Sequence, residues 1–317
     1  MRKYEGIKKI DINCNFIGSL NIDLVSKWMH ITKNEASDIM CRTQGIKDYS
    51  DYISKYKLPL ELLQNKTHLK DATKYLINDL YCDGVIYAEI IISPLLHTKK
   101  GLTPEDVLDS IIDELDDKVI TRLILAIDRS NTLRDSKRII NLAKKYKSKG
   151  VAGITLIGDE TLYPTLSFKE LFAYADEKEV KFTVTAGESG TFKDIINAVN
   201  FGAKRISCGI EAIKDFKTME LLKKKNVPLE VCLSNNIDMN LTPSINTHPI
   251  SRLIDSGVSI TIGSGNRTIS KTDLSHEYYL LNKYFNFTKE DFEKFNQKAI
   301  NFSLLDEDEK KTLIEAL

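Results

Sequence analysis

The chain predicts an α/β fold, a (β/α)8 TIM-type barrel, and three observations carry that expectation. Eight short, nearly unbroken apolar runs alternate with longer amphipathic stretches from one end to the other. Runs without polar alternation suit parallel strands covered on both faces. Their number and spacing fit closure into a barrel better than an open, doubly wound sheet.

The runs are Lys9–Asn13, Val85–Ile92, Arg122–Ile127, Gly153–Ile157, Phe182–Thr185, Arg205–Cys208, Leu229–Leu233 and Ser259–Ile262. Between them, Val107–Leu115, Ser136–Tyr146 and Phe192–Phe201 repeat apolar residues three and four apart, the period of a helix face. Gly150 follows the Lys-rich end of the second of these and marks a helix stop. Residues 21–82, between the first two strands, read as helical throughout and predict an insertion over the barrel mouth. Residues 268–317 predict extra C-terminal helices. No proline-rich linker or repeat divides the chain, so residues 1–317 form one expected domain.

Composition narrows the function classes. The 317 residues carry 45 Lys+Arg against 45 Asp+Glu, so no basic excess points to nucleic acid. Apolar residues at 42% and charged residues at 28% exclude wholesale disorder. Five unevenly spaced cysteines read as reduced thiols rather than a disulfide framework. No uncharged apolar stretch of about 18 residues and no signal-like N-terminus occur, so no membrane span and a cytoplasmic location are expected. Lys144-Lys145 and Lys223–Lys225 fall at helix C-termini, where they complement the helix dipole.

In such barrels the chemistry lies at the C-terminal ends of the strands. Those ends bring forward Asn13, Asn15, Ile91, Gly158, Thr185 to Glu188, Cys208, Asn235, Asn236 and Gly263 to Asn266. Around them stand YAEIIISP (87–94), GITLIGDE (153–160), TAGE (185–188), EVC (230–232) with Asn236, and HPISRLIDSGV (248–258). The tail adds LSHEY (274–278), NFS (301–303) and DEDE (306–309). Together, in this order and over essentially the whole length, they make the chain resemble the adenosine deaminase family of the amidohydrolase superfamily.

The resemblance implies a zinc enzyme that adds water to C6 of adenosine and expels ammonia. Such an enzyme carries His-x-His on the first strand, His-Ala-Gly-Glu on the fifth, His on the sixth and Asp-Asp on the eighth. Here the His-x-His position reads Asn13-Cys14-Asn15, the fifth-strand His is Thr185, the sixth-strand His is Cys208, and the Asp pair is Gly265-Asn266. All four zinc-ligand positions (Asn13, Asn15, Thr185 and Gly265) have changed. None of the five histidines forms His-x-His, and no Cys-x-x-Cys occurs. Neutral amides are weak zinc ligands, so no metal and no cofactor are expected, and zinc-dependent deamination is expected to be lost.

Purine recognition is separate from zinc. By matching position, the resemblance implies Glu188 at purine N1, the Gly158 backbone N–H at N3 and Asn266 at N7. N7 is an acceptor, and an Asn amide always offers it a donor. Ile17 stands where the resemblance implies an acidic residue gripping the sugar near its 5′ position; ordinary loop packing is the alternative reading. Asn13 and Asn15 are expected to hydrogen-bond Thr185 and Glu188 and so fill the former metal site. Glu89 loses the Arg that the resemblance implies at Ile91, so it must find another partner or be partly exposed. Cys208, beside Glu188 on the neighbouring strand, is a candidate nucleophile, although no His or Lys is at hand to activate it.

The expected ligand is a small, purine-like molecule bound through Asn13, Asn15, Ile17, Gly158, Thr185, Glu188, Cys208 and Asn266. The alternatives are a metal-independent enzyme built on Glu188, with Cys208 or the Asn pair, and a regulatory or structural protein acting on a protein partner.

Overall fold

The computed structural model describes residue 4, residues 6–42 and residues 49–317. Eight strands follow the order β1 to β8 in one sheet, each parallel to the next. They are β1 (Lys9–Asn15), β2 (Val85–Ile92), β3 (Ile120–Asp128), β4 (Val151–Ile157), β5 (Phe182–Ala186), β6 (Ile206–Cys208), β7 (Leu229–Val231) and β8 (Ile260–Ile262). A parallel bridge between Cys14 and Gly265 joins the last strand region to the first. The Asn15 N–H donates to the Gly265 carbonyl at 2.9 Å and the Gly265 N–H to the Asn13 carbonyl at 2.8 Å. The fold is a (β/α)8 barrel.

β7 ends two residues before the apolar run does. Cys232 caps the helix Leu233–Asp238, and Leu233 is buried as its first residue. An apolar residue at a strand end and one at the start of a buried helix give the same sequence signal.

The stretch after β1 holds the helices Ile22–Met29, Lys33–Met40, Tyr49–Ser54, Lys57–Leu62 and Lys66–Cys82. Lys66–Cys82 packs against β2 as an ordinary outer helix, whereas Ile53, Tyr56 and Leu60 reach the wall of a cavity at the strand ends. At the other end of the barrel, Leu305 and Leu313 cluster with Ile10, Ile12 and Tyr87, so the C-terminal helices close the floor. No helix among the described residues is long and apolar enough to cross a membrane.

The barrel interior holds a buried charge cluster. Arg205 pairs with Glu89 of β2 at 2.5 Å and with Glu230 of β7, all three at most 2% exposed. Arg205 immediately precedes β6, which is not a neighbour of β2 in the sheet, so this pair crosses the interior. Glu89 also accepts from Tyr87 Oη at 2.9 Å and from the Leu304 N–H at 2.7 Å. Glu89 thus finds its replacement cation in Arg205 and stays wholly buried.

Candidate functional site

A cavity of about 600 Å³ opens at the C-terminal ends of the strands. Its wall includes the eight residues expected to contact a ligand, Asn13, Asn15, Ile17, Gly158, Thr185, Glu188, Cys208 and Asn266, with Gly265 beside them, whereas Ala186, Gly187, Gly263 and Ser264 at the strand ends do not line it. A second hollow of about 850 Å³ lies at the opposite end, between Ile120, Val151, Lys181 and Leu304. It contains none of these residues.

The first-strand amides do not behave as expected. Asn13 Nδ2 donates to Ser207 Oγ and to Glu230 Oε2, both at 2.7 Å. Asn15 Oδ1 accepts the Gly18 N–H at 2.9 Å, within the short turn Ile17–Ser19. Neither makes the expected bond to Thr185 or Glu188. The buried Glu230 carboxylate is a stronger acceptor for Asn13 than the neutral Thr185 hydroxyl, because charge-assisted bonds exceed neutral ones. Burial pushes the Glu230 carboxyl up, while Arg205 and Asn13 oppose the rise.

The loop carrying Glu188 is clamped by a carboxylate. Glu160, just past β4 and 2% exposed, accepts the N–H groups of Gly187 at 2.8 Å, Glu188 at 2.9 Å, Ser189 at 3.1 Å and Gly190 at 3.2 Å. Burial pushes the Glu160 carboxyl above its ordinary range, against those bonds and the Arg129 charge. Arg129 fixes the same segment by donating to the Thr185 carbonyl at 2.8 Å. Sequence reasoning quoted Glu160 within its motif but gave it no role.

Cys208 sits at φ +68, a left-handed conformation that L side chains seldom adopt. Its thiol ends a directed chain of hydrogen bonds. The Ile250 N–H donates to His248 Nδ1 at 3.2 Å, which leaves Nε2 to donate to Asn236 Oδ1 at 3.1 Å. Asn236 Nδ2 donates to Cys208 Sγ at 3.5 Å, and the thiol donates to the Gly187 carbonyl at 3.6 Å. Burial lowers His248 to about 4, so the ring stays neutral. Burial and then the Glu188 charge push the Cys208 thiol well above its usual range.

Asn266 is held on three sides. Its Nδ2 donates to Tyr52 Oη at 2.8 Å and its Oδ1 accepts from Tyr56 Oη at 2.6 Å. A Cβ at Gly18 would overlap its amide oxygen, so only glycine fits there. One amide hydrogen is left beyond the Tyr52 bond. Burial, then the charge of Glu188, pushes the Tyr56 phenol well up. Gly265, at φ +58, has no room for a side chain either, because a Cβ there would overlap the Asn235 amide. The Asn235 side chain thus fills the space that the side chain of a residue at 265 would enter.

The helix bearing Asn235 and Asn236 is anchored from behind. Glu277 accepts from Thr272 Oγ1 at 2.6 Å and from the Ser234 N–H at 3.3 Å. Burial pushes the Glu277 carboxyl up to about 7 from an ordinary 4.5. The folded state therefore binds this proton more tightly than the unfolded chain. Its stabilising contribution is complete below about pH 4.5 and is lost as pH rises through about 7. Glu277→Gln, which mimics the protonated form, is expected to match the wild type near pH ~4.5. It should exceed the wild type by on the order of 3 kcal/mol near pH ~8. Urea unfolding of both proteins across that range checks this, and a difference that does not grow with pH refutes it.

Among the described residues, no group of three or more His, Cys, Asp or Glu is placed to hold a metal ion. The donor set at the matched positions is likewise poor for zinc: the Asn13 amide nitrogen donates to two partners, the Asn15 oxygen is engaged by Gly18, and Gly265 has no side chain.

The comparisons with known proteins agree with one another. The family model described as adenosine deaminase matches residues 30–317. An adenosine deaminase of Clostridium kluyveri is 31% identical over 327 aligned positions, covering 98% of this chain and 93% of that protein. Another, of Clostridium acetobutylicum, is 30% identical and covers 98% and 97%. Among solved structures, an adenine deaminase from Arthrobacter aurescens superposes with a TM-score of 0.87 at 21% identity, over 97% of both chains. Arabidopsis ADAL complexed with IMP gives 0.88 at 20% identity, over 100% of this chain and 97% of that one. At these identities the solved structures speak to the fold.

Proposed function

Since the chain belongs to the adenosine deaminase family, we propose that it holds a purine nucleoside at the strand-end cavity and does so without zinc. The observation that carries this reading is the state of the matched positions. Asn235 fills the space beside Gly265 and Asn13 is bonded to Glu230, while Glu188, Gly158 and Asn266 still line the same cavity. The purine ring lies with N1 toward Glu188, N3 toward the Gly158 backbone and N7 toward the remaining amide hydrogen of Asn266. Cys208 forms a neutral part of the wall, since only the thiolate is a strong nucleophile.

The wall also selects the sugar. Ile17 stands at the matched sugar position, and Ile53, Leu60, Leu96 and Leu162 add aliphatic lining; a 5′-hydroxyl set against Ile17 would go unpaired, at a cost of about 1–3 kcal/mol. Asp128, Asp159, Glu188 and Glu230 line the cavity, and no Lys, Arg or His does among the described residues. A phosphate would therefore meet several acidic side chains and, among the described residues of the lining, no cation, an arrangement that disfavours it. The ligand is an uncharged nucleoside, apolar at 5′, rather than a nucleotide.

Thermal-shift assays on metal-free protein, each mixture followed by mass spectrometry, test this. 5′-Deoxyadenosine and methylthioadenosine are expected to raise the melting temperature by a few degrees at about 100 times their dissociation constants. Adenosine should give a smaller shift, AMP none, and no ligand should change mass. Tighter binding of adenosine than of its 5′-deoxy analogue overturns the 5′ assignment. Stoichiometric zinc in protein purified without chelator, together with formation of inosine, overturns the whole reading. The clamped Glu188 loop favours one other reading, acid–base chemistry by Glu188 without metal, and ligand conversion by metal-free protein would select it.

A further inference from the structure

We propose that Asp128 reads the sugar of the bound nucleoside, one carboxylate oxygen accepting the 2′-hydroxyl, so that the cavity selects ribose over 2′-deoxyribose; this deepens the purine-binding reading and rests on it. Asp128 ends β3, is half-buried and lines the cavity together with Ser130 and Gly158. Its two oxygens differ. Oδ1 accepts the Ser130 N–H at 2.8 Å and the Ser130 hydroxyl at 2.5 Å, which fixes the side chain in its turn. Oδ2 accepts no hydrogen bond among the described residues, and it is open to solvent rather than sealed in the protein. A carboxylate oxygen accepts hydrogen bonds. A ligand that takes the place of water at such an oxygen must bring a donor of its own or lose affinity.

The shape of a nucleoside says which donor. On a purine, N3 is bonded to C4, and C4 to the N9 that carries the sugar. In the anti form the sugar hydroxyl nearest N3 is the 2′ one. With N3 toward the Gly158 backbone, the 2′-hydroxyl therefore meets the wall around Gly158. Asp128 belongs to that wall. It pairs in register with Ile157, the residue before Gly158, and a Cβ placed on Gly158 would stand 3.4 Å from Asp128 Oδ2. The two ends of the sugar thus meet different chemistry, an aliphatic side chain at 5′ and a hydrogen-bond acceptor at 2′. Sites built to bond an O–H reject analogues that lack it far more strongly than an apolar pocket rejects a missing methylene. The turn uses Oδ1 alone, which leaves Oδ2 for the ligand.

The test compares 5′-deoxyadenosine with 2′,5′-dideoxyadenosine by titration calorimetry; the two differ only in the 2′-hydroxyl and share the apolar 5′ end. Wild-type protein is expected to bind the first at least about tenfold more tightly. Asp128→Ala should bring the ratio close to one. Asp128→Asn, which can keep the acceptor for Ser130 and exchange only the other oxygen, should bring it to about threefold or less. Should Asp128→Ala unfold, as its melting temperature would reveal, the asparagine variant is read in its place. An unchanged ratio in the variant overturns the proposal and leaves purine binding intact, as does a wild type with no preference. If neither nucleoside binds the wild type, the purine reading and this inference both fall.

Discussion

Arg205→Met is expected to destabilise the protein by roughly 3–5 kcal/mol near neutral pH, with a fall in melting temperature on the order of 10 °C. The guanidinium lies between Glu89 and Glu230, all three at most 2% exposed. Its removal leaves two carboxylates in the barrel interior without their cation. They can stay charged at high cost or take up protons, so the loss should shrink as pH falls. Adding Glu89→Gln and Glu230→Gln to the same variant should recover most of the stability, because replacing a whole buried charge cluster costs far less than breaking it. Urea unfolding at neutral and acidic pH measures both effects. A single variant as stable as the wild type would mean that the cluster carries little of the fold.

The second large effect lies at the clamp. Glu160→Leu leaves the N–H groups of Gly187, Glu188, Ser189 and Gly190 without the carboxylate they share. The Gly187 N–H is buried and the other three are partly so; an unpaired buried N–H costs about 1–3 kcal/mol, so the loop is expected to leave its position to reach water. Glu188 leaves with it. The expected result is loss of at least about 3 kcal/mol of stability together with loss of detectable nucleoside binding. Glu160→Gln keeps one acceptor oxygen but turns an NH2 toward backbone donors, so an intermediate loss is expected, whereas Glu160→Asp retains the charge and should recover part of the binding. Calorimetric affinities alongside melting temperatures separate the two roles. A leucine variant that still binds nucleoside at wild-type strength would show that Glu188 is positioned by something else.

The barrel was legible because buried parallel strands leave long apolar runs, and β2 is bounded as the sequence predicts, at Val85 and Ile92. Most of the cavity residues were legible because strand ends point to one mouth, and Ile17 through the family resemblance; all eight expected ligand positions line the cavity. Their partners were not. Arg205 reads locally as the first residue of a strand, and its bond to Glu89 spans 116 positions with nothing in either neighbourhood to announce it. The same holds for Asn13, whose partner Glu230 lies 217 positions away. Asn235 was visible as a strand-end residue, yet its importance depends on the side chain missing at Gly265. The one available signal was that glycine, standing where the resemblance implies an acid.

The seam between β8 and β1 has a further consequence. Only a short bridge joins these strands, and Asn13, Asn15, Gly265 and Asn266 all stand on or beside it. Local opening of a fold begins where few bonds must break. A ligand that touches both lips of the seam is a clasp on the weakest join of the cylinder. It therefore slows exchange of the seam amides more than that of the well-paired strands across the barrel, so occupancy of the cavity and closure of the barrel become one equilibrium.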